Sequence, residues 1–373
     1  MNSTTFVGLD VHKDSIAVAV ARPGRQEPEQ LGVIPNTPEA VARMMRKLGR
    51  PEKLSVCYEA GPCGYEIYRQ LTQMGISCVV AAPSLIPKRA GERVKTDRRD
   101  AQKLARLLRS GDLTPVRVPG EEQEAMRDLV RARESAKEDV LRKQNELSKF
   151  LLRLGLHPAK GVNPWTQKHR QWLESLRLEQ APQQVVLRDH LHALDEALAR
   201  LERLEKEIEE LAPQYCDPEM LQALQALRGV KLITSATILT ELWNMEYFRS
   251  PAQLMSFVGL VPSEHSSGGK ERRGSITKAG NAHVRRILVE AAWHYRHIPR
   301  VGVALKKRQE GVPEEVKAIA WKAQNRLNKK YRRMVGRGKL KTVTVVAMAR
   351  ELMGFIWAIA QEVARRRQEK QAA

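Results

Sequence analysis

Four acidic residues among the first hundred positions have the spacing expected of ligands for a divalent cation. Asp10 and Glu59 each stand at the end of a predicted strand, whereas Asp97 and Asp100 lie three residues apart in the first turn of a predicted helix and project from one face of it. Crowded carboxylates repel one another, and oxygen ligands of this kind suit Mg²⁺ or Mn²⁺. Two such ions can stabilise the attacking and leaving oxygens during phosphodiester cleavage. Taken singly, Asp97 could be only a partner of the helix dipole and Asp10 only a turn cap.

A second group of reactive side chains lies in residues 266–275, which read Ser-Ser-Gly-Gly-Lys-Glu-Arg-Arg-Gly-Ser. Glycine lets a backbone approach a phosphate closely, and the cations Lys270, Arg272 and Arg273 can hold that phosphate. A serine in such a loop can attack phosphorus when a base or a metal activates its hydroxyl. The alternative is a basic loop that grips DNA without reacting. Further cations expected to contact nucleic acid follow the loop, namely Lys278, Arg285 and Arg286.

The overall charge favours a polyanion as the partner. The 373 residues include 64 Lys and Arg against 43 Asp and Glu, a formal net charge of +21. Cations that contact phosphates release condensed counterions, so nucleic acid is the first candidate. A membrane surface is the second, but no apolar run approaches the roughly 20 residues of a span, and the first residues do not form a signal peptide. Aromatic residues make up only 5%, so stacking on single-stranded bases is not expected to dominate binding.

The cysteines give no sign of a metal or disulfide framework. Cys57, Cys63, Cys78 and Cys216 form no Cys-X-X-Cys pair and no zinc-binding spacing. We expect buried free thiols in a protein of the reducing bacterial cytosol.

The segments that carry the four acids alternate in a pattern typical of a mixed α/β sheet. Period-two alternation and turn residues predict strands at residues 5–11, 15–21, 30–34, 53–58 and 77–82. Helical periodicity predicts helices at residues 38–48, 65–74 and 97–108, with Thr37-Pro38 and Thr96 as start signals and Gly111 as a stop signal. Three antiparallel strands followed by helix, strand, helix, strand and helix is the order of an RNase H-like fold. In that topology Asp10, Glu59 and the helix that starts at Asp97 meet at one end of the sheet.

From about residue 121 the pattern changes to long helices. Apolar residues recur at helical spacing through residues 126–154 and 187–208, with Arg133 and Glu205 as charged interruptions. The two helices predict an antiparallel hairpin or a dimerising coiled coil, with a loop around residues 157–182; packing within one domain is the alternative. Shorter helices follow, then a polar loop at residues 263–277 and a tail dense in Lys and Arg.

One turn in this helical region hints at a nucleic-acid-binding motif. Gly229-Val230-Lys231 joins two predicted helices in the manner of a helix–hairpin–helix, whose backbone amides hold DNA phosphates. Lysine stands here where the usual hairpin has its second glycine.

Several of these segments resemble the motifs of one family. Residues 7–13 (VGLDVHK), 58–64 (YEAGPCG) and 95–101 (KTDRRDA) resemble the three N-terminal motifs of the DEDD transposases of insertion-sequence family 110, which are related to Piv-type invertases. Residues 257–262 (FVGLVP), the Ser267-Gly268 pair and residues 276–281 (ITKAGN) are similar to the C-terminal transposase domain of that family. The tail from Lys341 to Trp357 resembles its eleven-eleven subgroup.

The resemblance implies a specific chemistry. The four acids would form a tetrad that binds Mg²⁺ (or Mn²⁺), and a C-terminal serine would attack the scissile phosphate to form a covalent 5′-phosphoserine link to DNA. We assign that serine to Ser267, which directly precedes the glycine of the motif; Ser266 and Ser275 are its rivals. The sequence departs from the family pattern mainly at Lys231, which bears on the hairpin and not on the chemistry.

The resemblance also implies an organisation and partners. We expect an α/β RNase H-like (RuvC-like) catalytic domain at residues 1–115, a helical coiled-coil or dimerisation arm at 116–212, a mostly α, serine-bearing transposase domain at 213–300 and a basic helical extension at 301–373. The protein would be a homo-oligomer, dimer or tetramer, whose tetrad and serine come from different subunits. A structured noncoding (bridge) RNA would pair with donor and target DNA at the nucleoid, which fits a basic protein that delegates sequence reading to base pairing.

Two other functions are compatible with the sequence. A structure-specific DNA endonuclease of the Holliday-junction-resolvase type would use a metal-activated water as nucleophile, and the serine loop would only bind. A non-enzymatic architectural protein would bind RNA or DNA and would tolerate Asp10→Asn and Glu59→Gln.

Overall fold

The chain divides into two compact units. In the computed structural model of the protein, residues 4–87, 96–242, 244–264 and 272–372 are described, with the side chain of Arg273 left out. The first unit comprises Met1–Pro119 and the second Gly120–Ala373. Each unit has its own hydrophobic core.

The first unit is a mixed five-stranded sheet with helices on both faces. Its strands are β1 (Thr5–Val11), β2 (Ser15–Ala21), β3 (Glu29–Pro35), β4 (Leu54–Glu59) and β5 (Ser77–Ala81). Its helices are α1 (Pro38–Leu48), α2 (Glu66–Gln73) and α3 (Asp97–Ser110). The spatial order is β3-β2-β1-β4-β5; the first three strands are antiparallel, and β4 and β5 run parallel to β1. The prediction of a mixed α/β unit is confirmed, and every predicted strand and helix lies within two residues of its observed bounds.

The two faces of the sheet differ in the size of their side chains. Large apolar residues such as Val7 and Leu9 of β1 pack with α1 and α2. On the opposite face, alanines of β2 pack against Ala101 and Ala105 of α3. Small side chains let α3 approach the sheet so closely that a Cβ at Gly8 would lie 2.2 Å from the carbonyl oxygen of Ala101. Residue 8 therefore has to be glycine for α3 to occupy this place.

Both ends of α3 are fixed by the residues that the sequence indicated. The Thr96 hydroxyl caps the N-terminus by accepting a hydrogen bond from the amide of Arg99, and Gly111 ends the helix in the left-handed conformation at φ 77°. Asp97 and Asp100 consequently occupy the first turn, at the end of α3 that lies near the carboxyl end of β1.

The second unit is mostly helical. Its helices are α4 (Glu121–Arg153), α5 (Gln167–Ser175), α6 (Ala181–Tyr215), α7 (Pro218–Leu224), α8 (Leu232–Leu242), α9 (Pro251–Phe257), α10 (Ala282–Ala292), α11 (Val303–Arg308), α12 (Glu314–Gly336) and α13 (Lys341–Ala372). Two short strands, β6 (Pro262–Glu264) and β7 (Arg273–Ile276), form an antiparallel pair. One core joins the near ends of α4 and α6 to α7–α10, α12 and α13.

Helices α4 and α6 lie antiparallel along much of their length. Arg133 of α4 pairs with Glu205 of α6, and the ring of Phe150 lies 5.3 Å from that of His190. The two charged residues that interrupt the apolar pattern of the sequence are therefore partners of each other. The hairpin is observed within one chain; its role as a dimerisation arm stays a prediction.

Two predicted loops contain regular structure. Helix α5 forms inside the predicted 157–182 loop because Leu173 is buried against the core of the α4–α6 hairpin, a tertiary contact that local sequence does not reveal. Strands β6 and β7 form at the two ends of the predicted 263–277 loop. Their pairing satisfies backbone groups that a loop would leave to water.

Helix α13 corrects the expectation that no apolar run approaches the length of a membrane span. It contains an 18-residue window with a mean hydropathy of 1.6, sufficient by length and composition alone, and half of that window is buried inside the protein. Met348, Leu352 and Ile356 of α13 are fully buried in the core of the second unit. Packing within the unit accounts for the apolar character of this helix.

The cysteines are free thiols. Cys57 and Cys216 are buried as expected, whereas Cys63 and Cys78 are half-buried. Burial raises the pKa of the Cys216 thiol to about 11, so this thiol stays protonated at neutral pH.

Candidate active site

Asp10 and Glu59 lie at the carboxyl ends of the neighbouring parallel strands β1 and β4, on the same face of the sheet. The last paired residues of β1 and β4 are Leu9 and Tyr58, so Asp10 and Glu59 each follow the pair by one residue. Strand alternation places Asp10 on the face of Gly8, which is the face covered by α3. Glu59 shares the face of Cys57, whose thiol lies 3.4 Å from the carbonyl oxygen of Leu104 in α3. Both acids line one cavity of about 660 Å³.

Asp97 and His12 complete a compact group of potential metal ligands with Asp10. His12 Nδ1 lies 3.8 Å from a carboxylate oxygen of Asp10, and His12 Nε2 lies 4.0 Å from one of Asp97. One ligand atom from each of the three residues lies within 4.8 Å of the others. Opposite ligands of one Mg²⁺ are about 4.2 Å apart, twice the usual bond length. Small side-chain movements would therefore let these residues share one cation.

Asp100 lies one helical turn beyond Asp97 on α3. It is half-buried, whereas Asp97 is exposed. The 97/100 spacing puts both carboxylates on one side of the helix start, where the helix dipole also favours negative charge. The four acids thus belong to three elements that converge at the carboxyl ends of β1 and β4.

Two residues near these acids were not assigned a role from the sequence. The side-chain amide of Asn36 donates to the carbonyl oxygens of His12 and Lys13, at 2.8 and 3.3 Å, and so fixes the β1–β2 turn to the end of β3. Both His12 and Asn36 line the cavity that contains Asp10 and Glu59. The only signal in the sequence was the position of His12 two residues after Asp10; nothing local marked Asn36, which comes close through sheet pairing.

The donor set suits a hard divalent cation. Carboxylate oxygens of Asp10 and Asp97 lie in one group with the His12 imidazole, and a cation would neutralise their negative charge. The His12 imidazole in this group of ligands is also compatible with Mn²⁺ and other transition metals. The arrangement fits a divalent metal and does not by itself choose between Mg²⁺ and Mn²⁺.

Of the three candidate nucleophiles, the structure describes one, Ser275 in the second unit. Ser266, Ser267 and Lys270 lie outside the described residues. Ser275 is exposed on β7, which pairs with β6 through Pro262–Ile276 and Glu264–Arg273. The predicted loop is thus bounded by a strand pair at both ends.

The base of this hairpin is closely packed. Gly259 has φ +67°, and a Cβ there would lie 2.2 Å from the carbonyl oxygen of Ala279. A Cβ at Gly280 would lie 1.9 Å from the carbonyl oxygen of Phe257. The chain segments that enter and leave the hairpin therefore cross at van der Waals contact, and both glycines are required there.

The predicted nucleic-acid-binding cations differ in how they are engaged. Arg272 and Lys278 are exposed. Arg285 donates to the carbonyl oxygen of Val258 at 2.8 Å. Arg286 forms ion pairs with Glu134 and Glu290. Contact of any of these side chains with nucleic acid stays a prediction, as does that of Arg273.

Two buried acids, both missed in the sequence, fix α10 to α4 and α8. Glu134 accepts from Arg286 at 2.5 Å and lies 2.6 Å from Nδ1 of His283. The Glu241 carboxylate, only 1% exposed, accepts from Arg131 at 2.7 and 3.0 Å and from the Asn281 side chain at 2.7 Å.

Charge-assisted hydrogen bonds keep both buried acids ionised. Burial alone would raise the pKa of Glu241, but the hydrogen bonds from Arg131 and Asn281 outweigh it and hold the pKa below its usual value. Burial likewise raises the pKa of Glu134, but the hydrogen bonds from Arg286 and His283 lower it by more. The pKa of Glu134 therefore also lies below its usual value. Asn281 directly follows the crossing at the hairpin base and caps α10 through the amide of Val284.

Two family models match most of the chain between them. The model described as "Transposase IS116/IS110/IS902 family" matches residues 221–304. The model of DEDD transposases of the IS110 type, described as "Transposase", matches residues 7–155. Asp10, Glu59, Asp97 and Asp100 fall within the second match and the β6–β7 hairpin within the first.

Two relatives are similar to this chain over nearly its full length, and a third over 60% of it. The chain is 45% identical over 360 residues to a putative transposase, y4qE, of Sinorhizobium fredii, which covers 96% of this chain and 88% of the relative. It is 32% identical over 337 residues to the transposase for insertion sequence element IS1533 of Leptospira borgpetersenii, and this match covers 90% of this chain and 97% of the relative. The chain is also 28% identical to the transposase for insertion sequence element IS1111A of Coxiella burnetii, over 60% of this chain and 61% of the relative.

Proposed function

The chain belongs to the IS110 family of transposases, enzymes that cut and rejoin DNA, and we propose that it does so through a metal-binding acidic tetrad and a serine nucleophile. The tetrad is Asp10, Glu59, Asp97 and Asp100. The observation that carries the proposal is that Asp10, His12 and Asp97 place ligand atoms within 4.8 Å of one another. Glu59 lines the same cavity as Asp10 and His12.

The first unit has an RNase H-like (RuvC-like) fold. The support is its strand order β3-β2-β1-β4-β5, with three antiparallel strands and two parallel ones. The acids stand at the ends of β1 and β4 and at the start of α3, as such a fold requires for a shared metal site. Family membership is in keeping with the use of a divalent cation.

The residues of the tetrad would hold Mg²⁺ or Mn²⁺. A bound cation there supplies charge stabilisation for the phosphate in the transition state and activates the attacking hydroxyl. Asp10 and Glu59 are held rigidly by strand pairing, and Asp97 and Asp100 by the capped first turn of α3, so the carboxylates are preorganised and need little rearrangement.

The nucleophile is Ser267, whose hydroxyl oxygen attacks the scissile phosphorus. The bond from Oγ to phosphorus forms, the bond from phosphorus to the 3′ oxygen breaks, and the hydroxyl proton ends on that 3′ oxygen. The product is a 5′-phosphoserine and a free 3′ hydroxyl. Attack by a 3′ hydroxyl of another strand reverses the exchange, so one phosphodiester replaces another and no outside energy source is needed.

Base pairing supplies the sequence specificity. A structured noncoding bridge RNA pairs with donor and target DNA, while the protein, with a net charge of +21 and 5% aromatic residues, binds backbones. The protein acts as a homo-oligomer at the nucleoid, with the tetrad of one subunit and the serine of another forming each site. The α4–α6 hairpin is the arm that brings subunits together.

Trapping the covalent intermediate tests the proposal. Incubation with donor and target DNA, guide RNA and Mg²⁺, followed by denaturing electrophoresis, should give a protein–DNA adduct that Ser267→Ala abolishes while nucleic-acid binding persists. Ser266→Ala and Ser275→Ala serve as matched controls and should retain the adduct. Cleavage with free ends and no adduct in the wild type would instead support a junction-resolving nuclease that uses water.

A further inference from the structure

The imidazole of His12 lies between two of the candidate metal ligands. Its Nδ1 is 3.8 Å from a carboxylate oxygen of Asp10, and its Nε2 is 4.0 Å from one of Asp97. The proposed tetrad gives this side chain no function, although it lines the same cavity as Asp10 and Glu59. Three roles are open to it: a chance neighbour, a hydrogen-bond partner of the carboxylates, or a ligand of the cation.

The surroundings of His12 are not those of a structural histidine. Its side chain is 52% exposed, so apolar packing does not explain its place. His169, by contrast, is buried and packs against Trp165 and Trp172, with ring centroids at 5.2 and 5.4 Å. Within the described part of the chain, His12 contacts no aromatic ring, and its ion-pair contacts are the two carboxylates.

The distances from His12 to the two acids are too long for hydrogen bonds. An N–H···O bond spans about 2.7–3.2 Å, so neither ring nitrogen donates to these oxygens. Ligands about 2.1 Å from one octahedral ion are about 3.0 Å apart when adjacent and about 4.2 Å apart when opposite. The observed 3.8 and 4.0 Å fall within that range. The gaps therefore suit side chains that share an ion better than side chains that hold each other directly.

The backbone fixes His12 in this position. Its amide donates to the carbonyl oxygen of Ser15 at 2.9 Å, which closes the turn between β1 and β2. Its carbonyl oxygen accepts from the side chain of Asn36 at 2.8 Å, and the amide of Asn36 donates to the carbonyl oxygen of Asp14 at 3.1 Å. The turn is thus tied to the end of β3. Rotation of the side chain alone would let the imidazole adjust to an ion, so the ligand is preorganised.

An imidazole ligand changes which ion the site favours. Mg²⁺ prefers oxygen ligands and gives up its waters reluctantly, so it gains little from a nitrogen. First-row transition ions, including Mn²⁺, bind imidazole more readily. Carboxylates alone would serve either ion, whereas carboxylates joined by an imidazole favour Mn²⁺.

A neutral ligand also suits the charge of this place. Asp97 and Asp100 already lie in one helical turn, and Asp10 lies close by. A further carboxylate would add to their mutual repulsion, whereas neutral imidazole contributes a lone pair without negative charge. Histidine therefore completes the set of ligands at the smallest electrostatic cost to the protein without metal.

We propose that His12 binds the cation directly, together with Asp10 and Asp97, and that this ligand gives the position a preference for Mn²⁺ over Mg²⁺. The inference rests on the proposed tetrad, because it takes Asp10 and Asp97 as metal ligands. It adds a nitrogen ligand that the tetrad lacks and assigns the choice of ion to one residue. It does not depend on which serine is the nucleophile.

Electron spin echo envelope modulation of Mn²⁺ bound to the full-length protein tests the ligand directly, because a coordinated nitrogen modulates the echo and a carboxylate oxygen does not. Wild type should show this nitrogen coupling, and histidine labelled with the heavy nitrogen isotope should shift it. His12→Asn should bind Mn²⁺ without the imidazole coupling. The matched control, His192→Asn, changes an exposed histidine of α6 and should keep the coupling.

The affinities of the two ions give a second readout. His12→Asn should lower the affinity for Mn²⁺ about tenfold or more, and the affinity for Mg²⁺, measured by competition, by less than about threefold. His192→Asn should change neither affinity. Equal losses for both ions in His12→Asn would overturn the proposal and would show that His12 only positions the carboxylates.

The spectra also separate this inference from the tetrad on which it rests. Bound Mn²⁺ without nitrogen coupling in wild type, or coupling that persists in His12→Asn, would overturn the role of His12 and leave the tetrad intact. A wild type that binds no Mn²⁺ would overturn both. The thermal midpoint of metal-free His12→Asn should equal that of wild type, because the hydrogen bonds of His12 are made by its backbone.

Discussion

Buried acids at the base of the β6–β7 hairpin show how single residues can decide local order. Glu241 is ionised in the folded protein because three hydrogen bonds to its carboxylate outweigh burial. Breaking a buried pair leaves the other charge without compensation. Since Asn281 connects Glu241 to the cap of α10, the orientation of the segment leaving the hairpin depends on this one side chain.

Glu241→Ala should lower the free energy of unfolding by about 3 kcal/mol at neutral pH, as measured by urea denaturation. The exposed Glu209→Ala on α6 is the control and should change it by less than about 0.5 kcal/mol. A change in Glu241→Ala no larger than in the control would show that the network does not stabilise the unit.

The lowered pKa of Glu241 predicts the sign of the pH dependence. An unfolded glutamate titrates near pH 4.3, and the folded pKa is lower, so the stabilisation is complete above this range and is lost as the pH falls through the folded value. Between pH 5 and acid unfolding, wild type should therefore lose stability more steeply than Glu241→Ala. Parallel profiles would contradict the assignment of an ionised, paired Glu241.

At the scale of elements, the distance between α3 and the sheet sets the geometry of the acids. Gly8 lies under the helix, and a methyl group there would lie 2.2 Å from the carbonyl oxygen of Ala101 and 2.4 Å from the amide nitrogen of Ala105. Gly8→Ala should push α3 away, lower stability by about 3 kcal/mol and weaken metal binding, because Asp97 and Asp100 move with the helix. Among the described residues, a Cβ at Gly61 would meet only the Glu59 carbonyl, at 3.8 Å, so Gly61→Ala should be tolerated in both measurements.

The pairing of Arg133 with Glu205 makes a second prediction at this scale. Arg133→Leu alone leaves Glu205, 36% exposed, facing an apolar seam and should cost about 2 kcal/mol in chemical denaturation. The double variant Arg133→Leu/Glu205→Leu restores a continuous apolar seam and should be close to wild type. Additive losses in the double variant would show that the two side chains are not coupled.

Sequence patterns among neighbouring residues were sufficient to predict the strands and helices of the first unit. They were not sufficient where contacts between distant segments determine the structure. Thr37-Pro38 and Thr96 identified helix starts because capping is a property of neighbouring residues. Helix α5 was missed because the burial of Leu173 depends on distant helices. For the candidate site, the four acids were predicted from strand and helix ends, whereas Asn36 and Glu241 act through contacts that sequence spacing does not encode.

At the scale of the whole molecule, the four candidate acids and the candidate nucleophile Ser267 fall in separate compact units, Met1–Pro119 and Gly120–Ala373. This division fits active sites shared between subunits, which the family resemblance implies. Such sharing would make the single subunit incompetent and would restrict cutting to the assembled complex.

Mixing two inactive variants tests the shared site. The two variants are mixed in equal amounts, Asp10→Asn with Ser267→Ala, so that after subunit exchange half of the dimers contain one subunit of each. If the sites form between subunits, each mixed dimer has one intact site out of two. Adduct formation should therefore recover to about a quarter of wild type. The double variant Asp10→Asn/Ser267→Ala mixed with either single variant is the control and should stay inactive. No recovery after verified subunit exchange would indicate that each site is built within one chain.

Direct measurement of metal binding tests the central claim that the acids of the first unit converge on one cation site. In a Mn²⁺ titration of the full-length protein followed by electron paramagnetic resonance, the free-ion signal should fall as the protein binds, and Mg²⁺ should restore it by competition. Glu59→Gln and Asp10→Asn should weaken Mn²⁺ binding about tenfold or more. The control, Glu52→Gln, changes an exposed residue just before β4, at the end of the strand away from Glu59, and should bind Mn²⁺ like wild type. Equal Mn²⁺ affinity in Glu59→Gln, Asp10→Asn and Glu52→Gln would contradict the account.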